Sequence, residues 1–263
     1  MLKLIIYAVI VFIATSSGAS TGLGGGVVIK PLFDIVSSAP TTTINFYSSL
    51  AVFAMAVIAL NKQLRQHFKF NIKILLSISI GSIVGGILGE QLLTFTARYL
   101  SANHLKIIQS GLLFCMLLSV ILYNLYKKHL KQLHLKNVLL IFIVGLGLGA
   151  FSVFLGIGGG PINVAIMMFL FSFPLREAAV YSVGIIFFAQ FSKMITIMFN
   201  PIKPIVNLTT AIVVVMAAII GGFIGAWINR KAPCRLLNLI YMVLLTLLLI
   251  VTFGNTLKYA GII

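Results

Sequence analysis

The chain has 263 residues, 60% of them hydrophobic and 8% charged, with a mean hydropathy of +1.16. Soluble domains carry roughly a quarter charged residues, so a soluble enzyme or binding module is excluded. Nineteen Lys and Arg stand against Asp34, Glu90 and Glu177, a net charge of +16. Most of that charge lies in short segments between apolar runs, which defines an all-α polytopic membrane protein and reads as topology signals beside anionic headgroups, not as a nucleic-acid surface. A cation pathway usually needs buried carboxylates, so their scarcity tilts the substrate toward an anion.

In chain order, residues 1–20 have the look of a secretory signal, with Lys3, an apolar core and small residues at 17–19. Cleavage is not expected, because an equivalent apolar run at 138–155 recurs in mid-chain. Residues 4–36 are longer than one span of ~20 residues and are interrupted by Gly22-Leu23-Gly24-Gly25-Gly26, which predicts a crossing, a break and a short half-helix or re-entrant piece. Pro40 and Thr41 to Thr43 predict a helix start, and the second span runs to about residue 60. Lys62, Arg65, Lys69 and Lys73 place segment 61–73 in the cytoplasm and, by counting crossings, the N-terminus there too. The third span, about 74–95, has Gly81, Gly85 and Gly89 at four-residue spacing for close helix packing; Glu90 beside them is read as a boundary group or a proton carrier. A fourth span, about 105–126, leads into a basic cytoplasmic linker, 127–137.

The second half repeats this plan. A span begins near 138, is followed by Gly156-Ile157-Gly158-Gly159-Gly160, and a half-helix runs to 173; spans follow at about 174–199, 206–228 and 236–253. With Gly22 laid on Gly156, no gap is needed over 22–53, and nine of the 32 positions are identical, among them Pro40/Pro174, Tyr47/Tyr181, Ser48/Ser182 and Phe53/Phe187. Compositional bias alone would give roughly two or three. The expected architecture is therefore about eight transmembrane helices in two homologous four-helix halves, 1–126 and 138–263, with glycine-broken helices. Four crossings per half give a parallel repeat. Arg230, Lys231 and Arg235 would then lie outside, against the positive-inside rule, so a re-entrant segment with an inverted repeat is the alternative.

The candidate site follows from the glycines. Unpaired backbone survives in a bilayer only inside protein or along a wet cavity, which singles out the amides of Gly24, Gly25 and Gly26 and of Gly158, Gly159 and Gly160. Asn45, Tyr47 and Ser48, with Tyr181 and Ser182 at the matched positions, supply donors that could replace the hydration of an oxyanion, or else bond neighbouring helices. Lys193 within a span is either a snorkelling cation or an anion ligand, and Gln190 lies one turn before it. Lys30 has apolar Val164 as its counterpart. Arg176 is read as a loop-side ion pair with Glu177 or as a substrate contact. Cys115 and Cys234 are too few for a metal site or a disulfide framework, and no cofactor is expected. Enzyme motifs such as GxxxxGK[ST] and HExxH do not occur, so the chain is not expected to be an enzyme.

Two halves, each with GxGGG near its start followed by a proline and a Ser-bearing helix, resemble the TauE/SafE family of sulfite exporters. The resemblance covers essentially the whole chain. It implies a polytopic transporter of the cytoplasmic membrane for sulfite, sulfonates or related small anions, commonly exporting them, with the glycine motifs near the pathway. The expected partners are a small anion and the lipid bilayer, with a homo-oligomer left open. A channel-like anion pore and a non-transporting assembly or sensory protein are the rival readings.

Overall fold

The computed structural model describes residues 2–37, 39–65, 71–127, 133–199 and 205–259. Among them the chain forms ten helices and no strand: α1 (Leu2–Thr21), α2 (Gly26–Val36), α3 (Thr41–Arg65), α4 (Ile72–Tyr99), α5 (Ala102–Tyr126), α6 (Val138–Leu155), α7 (Gly160–Phe171), α8 (Leu175–Phe199), α9 (Leu208–Lys231) and α10 (Cys234–Tyr259). Eight are long and apolar enough to cross a membrane; α2 and α7, of 11 and 12 residues, are not. The molecule is an all-helical multi-pass membrane protein. Its outer surface is apolar, with Ile80, Leu92, Leu122, Leu247 and Ile250 all exposed.

The breaks after α1 and α6 have a backbone cause. Gly22 and Gly24 adopt φ of 77° and 60°, and Gly156, Gly158 and Gly159 adopt 68°, 79° and 71°, the left-handed region that ends a helix without the penalty a Cβ would bring.

Each break turns the chain back. The rings of Tyr7, early in α1, and Phe33, late in α2, lie 4.5 Å apart, so α2 returns alongside α1. Leu133 and Leu135, just ahead of α6, donate backbone bonds to Phe169 and Leu170 at the end of α7 (3.0 and 2.8 Å). Helices α2 and α7 thus fold back along the helices before them, forming two helical hairpins.

Helices are exchanged across the molecule. Helix α4 runs parallel to α6, with Gly81, Gly85 and Gly89 each seated on carbonyls of Phe142, Leu146 and Ala150; α1 runs parallel to α9, with Gly221 and Gly225 seated on the carbonyls of Phe12 and Ser16. A side chain at any of these glycines would collide with backbone, so the strip read in the sequence at Gly81, Gly85 and Gly89 is a contact surface, and Gly221 and Gly225 form a second. At the centre α3 and α8 lie antiparallel, and Phe53 stacks on its counterpart Phe187 with ring centroids 5.7 Å apart.

The basic groups gather at one end. Lys62 Nζ donates to Phe223 O (3.0 Å), Gln63 Nε2 to Asn229 Oδ1 (3.4 Å), Arg176 to Ala232 O, and Ser172 Oγ to Leu133 O (3.1 Å). These contacts put Lys62, Arg65, Arg176, Arg230, Lys231 and Arg235 on the face that also carries Lys73, Lys127 and Lys136. The start of α1 and the end of α10 lie at the opposite end, where Tyr259 Oη donates to Asp34 O (3.2 Å) and Lys106 Nζ sits 5.1 Å from the Tyr259 ring centroid.

Candidate functional site

The two glycine loops cross in the buried centre. A Cβ on Gly26 would strike the Ile157 carbonyl, and one on Gly160 the Leu23 carbonyl, so each loop is pressed against the other's backbone. Gly22 rests on Ala179 of α8 and Gly156 on the matched residue of α3, Asn45. Breaking a helix leaves its last carbonyls without partners, and side chains of other helices supply them. Asn229 Nδ2 donates to Ser20 O (2.7 Å) and Ser182 Oγ to Gly22 O (2.6 Å) at the end of α1. At the end of α6, Gln109 Nε2 donates to Phe154 O (2.6 Å), and Lys30 Nζ donates to Leu155 O (2.6 Å) and Gln109 Oε1 (2.5 Å). Ser182 and Lys30 are thus engaged in holding the broken ends. Replacing Gln109 by Leu should orphan Phe154 O and cost about 1–3 kcal/mol, read as a fall in melting temperature of the purified protein.

The tyrosines are not brought together. The Asn207 N–H donates to Tyr47 Oη (2.7 Å) at the start of α9, and the Asn71 N–H donates to Tyr181 Oη (2.6 Å) at the start of α4, at opposite ends of the molecule. Each braces a helix N-terminus. Tyr47 Oη also donates to Asn207 O (3.3 Å), so Tyr47→Phe should lower stability by ~1–2 kcal/mol through two lost bonds, while anion flux in vesicles persists.

What does converge is a set of buried polar groups between α3, α4 and α8. A cavity of ≈ 30 Å³ is lined by Thr42, Asn45, Glu90, Thr94 and Lys193. A buried water needs roughly 10–15 Å³ by this kind of measure, so there is room for two or three waters, the bulk of a small oxyanion. Lys193 Nζ lies 3.8 Å from Glu90 Oε2, with side-chain exposures of 1% and 7%. That is ion-pair range but too long for a hydrogen bond. Lys193 Nζ, Glu90 Oε2, both amide atoms of Asn45, both of Gln190 and the Ser48 hydroxyl have no hydrogen-bond partner among the described residues. Buried donors left in this state are costly unless something else occupies them.

Asn45 joins the cavity to the second loop through its contact with Gly156, and Gln190 Nε2 lies 3.8 Å from where a Gly158 Cβ would be. The six glycines named from the sequence sit one layer back: Gly24 packs on Ile186, Gly25 on Ala14, Gly26 on Ile157, Gly158 on Val52, Gly159 on Ser152 and Gly160 on Leu23. The polar set is also one-sided. At the positions matching Asn45, Gln190 and Lys193 the other half has Ala179, Ala56 and Ala59. Sequence reasoning missed Glu90 as the partner of Lys193. A lone acid in one span and a lone lysine in another, in a chain with three acids, was the available signal.

Helical hairpins meeting inside a bundle, beside a charged and under-bonded cavity, give the build of a membrane transporter. The sequence model described as Sulfite exporter TauE/SafE matches residues 7–252. The chain belongs to that family. It is 27% identical over 99% of both chains to the probable membrane transporter protein YunE of Bacillus subtilis (strain 168). Over 38% of its length it is 30% identical to the probable membrane transporter protein MamO of Paramagnetospirillum magneticum, of which the match covers 16%; the MamO of Magnetospirillum gryphiswaldense matches to the same extent. No solved structure matches the chain.

Proposed function

We propose that this chain is a secondary carrier that moves a small, singly charged oxyanion, with sulfite in its hydrogensulfite form and short sulfonates the first candidates, across the cytoplasmic membrane. One observation carries the reading: Lys193, whose ammonium makes no hydrogen bond among the described residues, faces a cavity of small-oxyanion size beside the unpartnered amide of Asn45, with that of Gln190 behind it against the second loop. Together these donors can replace a hydration shell. The halves 1–126 and 138–263, joined by 127–137, would rock about the crossed loops to give alternating access, and export follows the family's description.

The positive-inside rule, applied to the basic end, makes that end cytoplasmic and sets both the start of α1 and the end of α10 outside. This reverses the orientation expected from counting crossings, because each hairpin consumes a span without crossing, and it makes the halves an inverted pair. In a background of Cys115→Ser and Cys234→Ser, a membrane-impermeant maleimide added to intact cells should label Lys258→Cys and spare Lys231→Cys; the opposite pattern would restore a cytoplasmic N-terminus. For the transport reading, proteoliposomes should take up sulfite and methanesulfonate. Uptake should vanish in Gly25→Leu and Gly159→Leu, and equal uptake in folded variants would defeat the proposed role of the loops.

A further inference from the structure

We propose that Glu90 is a proton site coupled to the anion at Lys193, so that one proton crosses with each singly charged anion and no net charge moves. The inference rests on the reading that Lys193 receives the anion, and it follows from the charge held in the cavity. Lys193 and Glu90 are both buried and neutralise one another across 3.8 Å. The cavity they line could hold a few waters.

An anion that takes the Lys193 ammonium as its partner leaves the Glu90 carboxylate as a second negative charge in the same buried space. Two like charges there cannot both persist. The balance is restored when the carboxylate takes up a proton to become the neutral acid. The ammonium then pairs with the anion, and the cavity stays neutral with or without cargo. Release reverses both steps. The proton comes from and returns to water on the side to which the cavity opens, and no bond of the anion is made or broken.

The other buried carboxylate, Asp34, sits at the end of α2 beside Tyr259 and does not line this cavity. Helix α6, packed along α4, has no titratable residue, and the α3 segment at the cavity offers Thr42, Asn45 and Phe46. From α8 the charged group facing Glu90 is Lys193. Arg98 lies two turns further along α4, His104 and Lys106 stand at the start of α5, and Lys30 is engaged at the end of α6. Glu90 is therefore the carboxylate in place to exchange a proton when Lys193 changes partner.

The test uses the purified full chain and methanesulfonate, a strong-acid anion that brings no proton of its own. Titration calorimetry in buffers of different ionisation enthalpy should show about one proton taken up per anion bound. In proteoliposomes a gradient of one pH unit should drive about tenfold accumulation of the anion, whereas an imposed potassium diffusion potential should leave flux unchanged. In Glu90→Gln, proton uptake should disappear and flux should follow voltage instead of pH. Methanesulfonate binding with no proton uptake, or charge-carrying flux by the unmodified protein, would overturn the coupling while leaving the anion reading intact. Failure of the unmodified protein to bind or carry methanesulfonate would remove both. Calorimetry on the unmodified chain decides the matter even where Glu90→Gln does not fold.

Discussion

The paired substitution Lys193→Met with Glu90→Gln is expected to give a folded protein whose anion flux falls by about 10²-fold or more. Among the described residues the ammonium is the one full positive charge lining the cavity, and charge-assisted hydrogen bonds are worth about 1.5–3 kcal/mol each, so losing two of them accounts for a drop of that size. The pairing of the substitutions matters. Lys193→Met alone would strand a buried carboxylate, which costs about 3–5 kcal/mol and would confuse misfolding with loss of binding. Replacing a buried ion pair by neutral residues of similar volume is often neutral or stabilising. Flux in proteoliposomes should be read beside the melting temperature. A folded double variant that transports at the rate of the unmodified protein would show that the ammonium has no part in the pathway.

Alanine at Gly160 or Gly26 is the second large effect, and it acts on the fold. Neither residue has a positive φ, so strain in the backbone is not the reason. The reason is space, because the added methyl at each would occupy the carbonyl of Leu23 or Ile157 in the opposing loop, and backbone cannot swing aside as a side chain does. Each substitution should cost about 3 kcal/mol or more, at the upper end of overpacking effects. Gly111, Gly147 and Gly254 provide an internal contrast, since a Cβ at these positions meets nothing within 4 Å. Alanine there should be neutral or stabilising by ~0.5–1 kcal/mol through helix propensity. The same chemical change at five sites, two collapsing and three not, is read directly from melting temperatures in detergent.

Helix breaks and span ends were legible because they depend on local chemistry. The glycine runs mark where α1 and α6 stop, Pro40 and Pro174 precede α3 and α8, and the basic linker separates Tyr126, the end of α5, from Val138, the start of α6. Whether α2 continues or returns along α1 stayed open in the sequence, because an apolar helix that continues through a bilayer and one that doubles back have the same composition. Only a contact such as Tyr7 with Phe33 separates them. Counting each hairpin as no crossing changes the side given to the N-terminus and to Arg230, Lys231 and Arg235, while segments 61–73 and 127–137 keep the side expected for them.

The same limit governed the site. Asn45, Gln190 and Lys193 stood out as polar groups in apolar surroundings, and they do converge on one cavity and the loop behind it. Tyr47 and Tyr181 also stood out, through their recurrence in both halves, yet they cap α9 and α4 at opposite ends. A repeated residue can mark a repeated structural need as readily as a shared site. Glu90 was visible as a residue but not as a partner, because its pairing with Lys193 joins α4 to α8 across about a hundred positions of sequence.

The most direct measurement is anomalous diffraction from crystals of the unmodified protein soaked in selenite, whose selenium marks the bound oxyanion. The account predicts one buried peak within salt-bridge distance of Lys193 Nζ, roughly 4 Å, beside the side chain of Asn45. A buried peak at Lys30 or elsewhere, with the space beside Lys193 holding only water, would contradict it.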